Sequence, residues 1–412
     1  MTDILDALET RSADEREASQ FECLRHQLAA GGAPALAEQL GETDPVSVTD
    51  RAALARLPLM RKSALMERQK ADPPLGGLAA RPVAEFDHLF QSPGPIYEPG
   101  MTRLHDWWRL ARALNAASIG AGDRVLNCFS QHLVPAGVML ASGARAVGAL
   151  SVPGGVGQAE AQATVAADCA ATAYVGTPDF LKVILETADA AGRDLSTLTR
   201  AWVSGGALFP SLRQFYAEHG ILCLQGYATA DCGSIAYETV HDGAPCEGMV
   251  VDEGVIVEIV RPGTGDPVPD GEVGEVVVTL LNAEWPLLRF ATGDLSAMLP
   301  GASPCGRTGP RIRGWMGRAD QTAKVRGMFV RPEQIAEILR RHPEATKARA
   351  TIGREGEADT LTLAVEAEGE GVEAAIAETA RAVLGLRADV SVAAPGTLQN
   401  DGKVIDDARR YD

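Results

Sequence analysis

The sequence predicts an α/β fold with a large N-terminal domain and a small mobile C-terminal α+β domain. In the large domain we expect parallel-rich sheets flanked by helices and a small β-barrel-like section. Three observations support this. The chain has 412 residues, more than one hydrophobic core usually organises. Strand-like and helical segments alternate between residues 123 and 227, as in parallel sheets. Beyond residue 231, short β segments follow one another.

The first section, residues 3–41, has apolar residues at helical spacing, and a capped helix is expected near Thr49. The alternating section then supplies predicted strands separated by helices: "DRVLNCFS", "ALSVPGG", "TAYVGTP", "RAWVSGG" and "ILCLQGY". Ligands of such sheets lie beyond the carboxyl ends of the strands. The segments "VGTP", "VSGG" and "GYATAD" fall there and are expected to line a site.

The later section joins "GVIVEIVRP" to "GEVGEVVVTLL" through a turn-rich stretch, which is typical of antiparallel or barrel-like β structure. Near residue 317 the pattern changes again, to strands and helices of a separate α+β unit. We therefore predict one domain at residues 1–317 and a second at residues 318–412.

Composition excludes several classes of function. The net charge of -17 argues against broad binding to nucleic acid or anionic membranes, because both need a basic face. The seven cysteines are irregularly spaced, with no C-x-x-C pair, which fits reduced thiols and a cytoplasmic protein. No apolar run reaches the roughly 20 residues of a membrane span.

Ordered motifs extend over most of the chain: "HLVPAG", "YVGTPDFL", "VSGGALFP", "GYATAD", "RFATGDL", "GRADQTAKVRGMFVRPEQIAEIL" and "LQNDGK". Together they resemble the adenylate-forming acyl-CoA synthetases, in particular the phenylacetate-CoA ligase branch. The resemblance implies that a carboxylic acid and MgATP give an acyl-adenylate, from which coenzyme A displaces AMP. It implies an aromatic acid, ATP, Mg²⁺ and CoA as ligands, and a homodimer.

Three positions in these motifs are candidate nucleotide and metal ligands. Asp294 could accept hydrogen bonds from both ribose hydroxyls, or could be a turn aspartate. Tyr227 could stack on adenine, and Asp231 could bind Mg²⁺. The alternatives are a core tyrosine and a helix-capping aspartate. The family pattern has Thr or Ser followed by Glu where this chain has Ala230 and Asp231.

Further nucleotide contacts are expected from neighbouring small residues. Ala228 and Thr229 follow the tyrosine, and Thr229 is the nearest hydroxyl to the one lost at Ala230. Gly205 and Gly206 would let backbone approach the adenine and acyl pocket, although a tight strand-to-helix turn explains them equally well.

The C-terminal motifs give the remaining roles. By resemblance, Arg318 contacts the nucleotide, Asp320 is the hinge, and Lys403 stabilises charge at the α-phosphate and carboxylate. The residues on the CoA face of the small domain would be Lys324, Arg326 and Gly327. The alternative for this last group is a solvated basic strand.

The acyl pocket is expected from the segment around "FSQHLVPAG" and from one distant tyrosine. Its candidate residues are Phe129, His132, Pro135, Ala136 and Tyr237. By resemblance His132 gates the pocket or orients the carboxylate and counts as a catalytic candidate; a core histidine bonded to backbone is the alternative. The spacing of His241, Cys246 and Cys305 is too irregular for a zinc site.

The segment "FQSPGPIYEPG", residues 90–100, precedes a predicted Trp-rich helix. It stands where the family has its phosphate loop, but it offers only Ser92 and Gly94 as phosphate ligands. Its prolines remove amide donors. Either Tyr97 and Glu98 form a stiff lid over a working site, or the chain binds nucleotide or acyl-CoA without turnover. Retention of Asp294, Arg318 and Lys403 favours an aromatic acid CoA ligase. An enzyme that loads a carrier protein is the other alternative.

Overall fold

The computed structural model describes residues 4–93, 95–206, 208–317, 319, 323–325, 328–355, 358–369, 371–399 and 403–409. The helices of this part are α1 (Ala13–Ala30), α2 (Pro34–Leu40), α3 (Arg51–Ala55), α4 (Lys62–Ala71), α5 (Ala111–Ala116), α6 (Ala136–Ala146), α7 (Ala159–Asp168), α8 (Pro178–Ala190), α9 (Pro210–Glu218), α10 (Pro332–Arg341) and α11 (Val372–Leu384). Short 3₁₀ helices cover Ala7–Thr10, Pro45–Ser47 and Val83–Glu85.

The strands are β1 (Met60–Arg61), β2 (His88–Ser92), β3 (Ile96–Gly100), β4 (Arg124–Asn127), β5 (Leu150–Pro153), β6 (Ala173–Gly176), β7 (Arg200–Val203), β8 (Leu222–Thr229), β9 (Gly233–Tyr237), β10 (Val240–His241), β11 (Ala244–Pro245), β12 (Met249–Val251), β13 (Val255–Val260), β14 (Gly274–Leu280), β15 (Phe290–Ser296), β16 (Met298–Leu299), β17 (Arg311–Ile312), β18 (Ala323–Val325), β19 (Met328–Val330), β20 (Ala345–Glu355), β21 (Ala358–Ala367), β22 (Asp389–Ala393) and β23 (Ile405–Asp407).

The large sheet has the strand order β16-β17-β12-β9-β8-β7-β6-β4-β5. Strands β5, β4, β6, β7 and β8 pair in parallel, whereas β9 joins β8 antiparallel. Helix α8 shows why the chain folds this way. It buries Leu181, Ile184, Leu185 and Ala188, one apolar stripe at helical spacing, in the core beside the sheet. The predicted alternation of strands and helices is confirmed.

The later β segments form a four-stranded sheet of order β1-β15-β14-β13, so the barrel-like section is an open sheet among the described residues. The C-terminal sheet has the order β22-β21-β20-β23. Its core includes Ile335 of α10 and Ile376 of α11, both fully buried. This is the predicted α+β arrangement.

Contacts divide the chain into two compact units. Unit 1 comprises Met1–Val257, Val278–Phe290 and Leu299–Trp315, and unit 2 comprises Glu258–Val277, Ala291–Met298 and Met316–Asp412. The predicted boundary at residues 317 and 318 stays a prediction.

Buried ion pairs fix the N-terminal segment within unit 1. Glu253, with a side chain 3% exposed, accepts from Arg16 Nε at 2.8 Å and from Arg11 Nη2 at 2.6 Å. Arg16 also donates to Thr308. A buried charge is tolerated when it is paired and hydrogen-bonded, so these contacts specify where α1 packs.

Two smaller observations concern sequence expectations. Trp107 and Trp108 lie in turns before α5. The prediction of a Trp-rich helix after residues 90–100 is therefore wrong at these two positions. No helix among the described residues is long and apolar enough to cross a membrane.

Candidate active site

The carboxyl ends of β6, β7 and β8 meet at one edge of the large sheet, because the strands are parallel. Gly205 follows β7 with φ +73°, a conformation that L side chains rarely adopt. A Cβ at Gly205 would lie 3.8 Å from Phe129 Cε1, so the phenyl ring is beside this turn. Gly206 accepts a hydrogen bond from Gln225 Nε2 at 2.8 Å. The two glycines therefore form an exposed turn at the sheet edge.

The turn after β4 is organised by Asn127, which is fully buried. Its side chain accepts from Phe129 N at 3.2 Å and donates to the carbonyl of Gly137 at 2.7 Å. This holds Phe129, 9% exposed, next to the start of α6. Pro135 is the N-cap residue of α6 and Ala136 its first residue. The three pocket candidates in this segment thus lie close together.

His132 lies on the exposed surface of the same turn. Its backbone N donates to Ser130 Oγ at 3.2 Å and its carbonyl accepts from Val134 N at 2.7 Å. The core-histidine alternative does not apply, because the residue is exposed. A gating or carboxylate-orienting role stays a prediction.

Strand β8 carries the next candidates to the sheet edge. Tyr227 is 8% exposed and pairs with Ala236 of β9, and a register shift follows between Tyr227 and Ala228. Thr229 Oγ1 accepts from Cys232 N at 3.1 Å. This bond closes the turn in which Asp231 lies. The turn, and not a helix cap, therefore sets the position of the Asp231 carboxylate.

The segment expected to be a phosphate loop is a β-hairpin. Strands β2 and β3 pair from His88 and Gly100 to Ser92 and Ile96 at the tip. The side-chain amide of Gln69 makes two hydrogen bonds to the backbone of Tyr97. Its Oε1 accepts from Tyr97 N at 2.8 Å, and its Nε2 donates to the Tyr97 carbonyl at 2.7 Å. Paired backbone on both sides leaves little freedom for a loop that closes over a ligand. The two paired strands are accordingly a fixed element within unit 1.

Aromatic packing explains the far end of the hairpin. A Cβ at Gly100 would lie 2.6 Å from Trp108 Cζ2 and 2.8 Å from Phe90 Cε2. The two rings meet edge to face with centroids 6.1 Å apart. Only glycine fits at this position, so Gly100 is explained by packing against Trp108.

Glu98 of the hairpin lies close to Asp231 and Lys62 inside unit 1. Lys62, the first residue of α4, donates to Asp231 Oδ2 at 2.5 Å, and the Asp231 side chain is 1% exposed. Burial, which lowers the pKa of Lys62, is more than offset by the Asp231 charge, so that the pKa is raised. Burial and the Asp231 charge raise the pKa of Glu98 to about 8, although Ser92 and Lys62 favour the charged form.

Several polar atoms of this cluster are unsatisfied. Asp231 Oδ1, both carboxyl oxygens of Glu98 and Ser92 Oγ are buried, and none makes a hydrogen bond of good geometry with a described residue. Buried polar atoms of native proteins nearly always have partners. We define Lys62, Ser92, Glu98 and Asp231 as the carboxylate cluster. Its unsatisfied oxygens are therefore candidate ligand-binding atoms.

Glu98→Gln is expected to match the wild type in stability near pH 5 and to exceed it as the pH rises. Between the ordinary pKa of 4.5 and the folded value of about 8, the native state holds a proton that the unfolded chain has released. Wild-type stability therefore falls as the pH rises through this window. The shift sets a ceiling of about 5 kcal/mol.

Urea unfolding of both proteins at about pH 5 and about pH 9, in EDTA, measures this difference. The matched control is Glu160→Gln, in the first turn of α7, where no pH-dependent gain is expected. A gain of equal size at both pH values would show that the Glu98 carboxyl is not protonated in the folded state.

In unit 2, Asp294 lies in β15 and is 7% exposed. Its backbone N donates to Thr292 Oγ1 at 3.2 Å. The neighbouring backbone is also fixed: Leu295 N donates to Gly317 O at 2.9 Å, and Ala319 N donates to Gly293 O at 2.7 Å. Asp294 is therefore part of a strand and not of a turn, so the turn alternative does not hold.

Lys403 is exposed, and its Nζ donates to Asp406 Oδ1 at 3.0 Å. It also lines a cavity of about 420 Å³ within unit 2, beside Lys347 and Glu366. Lys347 Nζ donates to the carbonyl of Gln399 at 3.0 Å. The Lys347 ammonium group thus binds the backbone of the C-terminal segment. Lys403 belongs to unit 2, whereas Asp231 and Tyr227 belong to unit 1. Its assembly with them stays a prediction.

Comparisons with known proteins find AMP-binding enzymes and CoA ligases. Residues 115–280 match the family described as "AMP-binding enzyme". The phenylacetate-coenzyme A ligase of Pseudomonas putida is 27% identical, over 97% of this chain and 95% of the relative. The phenylacetate-coenzyme A ligase of Thermus thermophilus is 29% identical, over 78% of this chain and 74% of the relative. A crystal structure of 2-hydroxyisobutyryl-CoA ligase with 2-HIB-AMP, in the postadenylation state, has a TM-score of 0.70 at 25% identity, covering 97% of this chain and 91% of that one.

Residues 115–280 thus carry an AMP-binding enzyme domain, and the chain is similar over most of its length to acyl-CoA ligases. Its curated relatives over most of its length are phenylacetate-CoA ligases. The prediction of an AMP-forming acid–thiol ligase is thereby confirmed at the level of the family. The α/β fold with a small α+β part is also confirmed.

Some candidate residues of this adenylate-forming enzyme cannot be placed. Gly94, Arg318, Asp320, Arg326 and Gly327 lie outside the described residues. Lys324 lies in β18, with its backbone opposite Phe329. The predicted roles of these residues stay predictions.

Tyr237, an expected acyl-pocket residue of the adenylate-forming enzyme, is 1% exposed and donates from its hydroxyl to Glu9 Oε1 at 3.1 Å. Arg307 Nε donates to the same oxygen at 2.9 Å. Tyr237 is thus part of the buried network that fastens the N-terminal segment. Tyr237 therefore has a packing role, and we do not include it among the proposed acyl-pocket residues.

Sequence reasoning missed two members of the carboxylate cluster in this adenylate-forming enzyme. Lys62 is 169 positions from Asp231 in the chain, so no local pattern connects them. Glu98 was expected in a lid, but it is 1% exposed. Strand alternation in "IYEPG" could have placed Ile96 and Glu98 on one face, since side chains two apart share a face.

Proposed function

We propose that this protein is an AMP-forming ligase that activates an aromatic, phenylacetate-like carboxylic acid and transfers it to coenzyme A. In the first step a carboxylate oxygen attacks the α-phosphorus of ATP and pyrophosphate leaves. In the second the thiolate sulfur of CoA attacks the acyl carbon and AMP leaves. Crystal structures of 2-hydroxyisobutyryl-CoA ligase represent the same two stages, one in the postadenylation state and one in the thioesterification state.

The observation that carries the proposal is the free Oδ1 of Asp231. It is a buried oxygen without a hydrogen-bond partner among described residues, at the carboxyl end of β8. A hard, unsatisfied carboxylate oxygen at a sheet edge fits Mg²⁺, which would offset charge on the phosphates of ATP. Lys62 is bound to the other oxygen of Asp231. It adds a positive charge beside the site, whereas the proline positions of the hairpin carry none.

The other assignments follow the motifs. Tyr227 stacks on adenine, with Ala228 and Thr229 beside it, and Asp294 accepts from the ribose hydroxyls. Phe129, next to Gly205, offers an apolar surface for an aryl group.

Lys403, Arg318 and Asp320 have the roles that their motif implies: charge stabilisation in adenylation, nucleotide contact and hinge. Lys324, Arg326 and Gly327 would contact CoA after the hinge has moved. Homodimerisation and a cytoplasmic location complete the proposal.

Pyrophosphate release from MgATP is the experiment that tests the function, run over a panel of aryl and short aliphatic acids. Acid-dependent release with an arylacetate, and a thioester when free CoA is added, is the expected result. Because one structural relative is named for 2-hydroxyisobutyrate, short hydroxy acids belong in the panel.

Two results would contradict the proposal in different ways. Release followed by acylation of a carrier's pantetheine arm, but not of free CoA, would indicate an enzyme that loads a carrier protein. Nucleotide binding without release for any acid would indicate a binding protein, consistent with Ala230 and the prolines of residues 90–100.

A further inference from the structure

Glu98 is the least expected member of the carboxylate cluster. It is 1% exposed, and neither of its carboxyl oxygens makes a hydrogen bond of good geometry with a described residue, although Ser92 is close enough to favour its charged form. Desolvating a carboxyl group without compensation destabilises a fold. Natural proteins keep such destabilising groups mainly where function needs them.

Other buried carboxylates of unit 1 are compensated. Glu9 pairs with Arg307 at 2.9 Å, and Glu253 pairs with Arg16 at 2.8 Å. Asp252 lies 3.4 Å from Arg112. The fold therefore supplies arginines for acidic side chains that serve packing. Glu98 has no such arginine among its described contacts, so packing does not explain it.

The surroundings of Glu98 contain further free oxygen ligands. Asp231 lies near enough for its charge to act on the Glu98 carboxyl, and its Oδ1 is unpartnered. Ser92 Oγ, on a residue 7% exposed, lies near the Glu98 carboxyl and also makes no hydrogen bond of good geometry with a described residue. Two carboxylates and a hydroxyl are hard oxygen donors, while Lys62 is bound to the far oxygen of Asp231.

This donor set suits Mg²⁺ that is bound together with a phosphate. Mg²⁺ in nucleotide sites is held by one or two carboxylates, with substrate phosphates and water completing its octahedron. A protein cage is not required. The hairpin has also lost donors that would bind phosphate directly, since Pro93 and Pro95 have no amide hydrogen. A second metal carboxylate would let the cation hold the phosphates instead.

We propose that Glu98 is a second carboxylate ligand, beside Asp231, for the divalent cation that enters with ATP. The variant hairpin then binds the phosphates through the metal where a glycine-rich loop would bind them through its own amides and hydroxyls. This inference rests on the proposed function, because it takes ATP as the nucleotide. It deepens that function by assigning a metal ligand that no motif of the chain indicates.

Manganese binding by the full-length protein tests the assignment without turnover. Free Mn²⁺ is measured by electron paramagnetic resonance, in the presence of α,β-methylene-ATP. We expect Glu98→Gln to weaken Mn²⁺ binding in this complex by on the order of 10-fold or more, the scale set by loss of a supporting group at metal sites. Glu98→Asp keeps a carboxylate and should retain part of the affinity.

The controls separate a metal ligand from a structural residue. Glu160→Gln, on the exposed first turn of α7, should bind Mn²⁺ as the wild type does. Asp231→Asn should weaken it at least as much as Glu98→Gln. AMP binding without metal should be unchanged in Glu98→Gln, and its circular dichroism should be that of the wild type.

Two results would overturn the inference. One is wild-type Mn²⁺ affinity in Glu98→Gln while Asp231→Asn loses it, which would leave Asp231 as the sole carboxylate. The other is a wild type in which Mn²⁺ does not tighten binding of the analogue. Failure of the ligase proposal is distinguishable, because it would appear as absent pyrophosphate release while the dependence of Mn²⁺ binding on Glu98 remained.

Discussion

Replacing Lys403 by alanine should lower acid-dependent pyrophosphate release by on the order of 10²- to 10³-fold, as expected when one charge-stabilising group is removed from a transition state. Adenylation transfers negative charge onto the α-phosphate and the departing pyrophosphate, and a cation near these oxygens acts most strongly where water is excluded. Initial rates with saturating MgATP and acid measure the effect.

The fold should not change in this variant. The Lys403 side chain is 49% exposed, and its partner Asp406 keeps Arg349 at 2.9 Å. Lys182→Ala, which removes a lysine 44% exposed and paired with Glu186 at 3.6 Å, is the matched control and should keep full activity. Turnover in Lys403→Ala equal to that of the wild type would remove this lysine from the mechanism.

Glu253→Ala should lower the free energy of unfolding by about 3–5 kcal/mol, the range for breaking a buried ion pair from one side. Arg16, with a side chain 5% exposed, would be left with a charge whose carboxylate partner is gone. Arg11, 14% exposed, would lose the same partner. Guanidinium unfolding at neutral pH measures the change.

A surface pair supplies the comparison for this variant. Glu17 lies 3.9 Å from Arg51, and both side chains are more than 40% exposed. Glu17→Ala should therefore change the free energy of unfolding by no more than about 1 kcal/mol. If Glu253→Ala were as mild as Glu17→Ala, the N-terminal segment would not be held by these pairs.

The sheet was predictable because its signals are local. Apolar runs ending in Gly or Thr, separated by helices such as α8, are visible within about fifteen residues, and β4, β6, β7 and β8 appear where the sequence places them. Asp231 was found for the same reason, because it lies two residues after the end of β8. Trp107 and Trp108 were expected in a helix, but Trp108 packs against Gly100 and Phe90 of the hairpin, and Trp107 packs against Phe86.

The cluster itself was not predictable from local patterns. Its members come from α4, the hairpin and the turn after β8, and only the tertiary fold brings Lys62 to Asp231. Burial of Glu98 likewise depends on the pairing of β2 with β3. The same is true of Tyr237, whose partners Glu9 and Arg307 lie at distant positions. Long-range contacts of charged residues carry no periodicity that a sequence could display.

The two hydrogen bonds between the Gln69 side chain and the Tyr97 backbone have a thermodynamic consequence. A flexible loop that folds around a nucleotide loses conformational entropy at the moment of binding. Here both backbone groups of Tyr97 are already bonded, and the tip is paired at Ser92 and Ile96. The ordering has taken place during folding. Nucleotide association in this protein should therefore have a small entropic penalty from the phosphate segment, and its affinity should depend mainly on how strongly the fixed oxygens hold the cation.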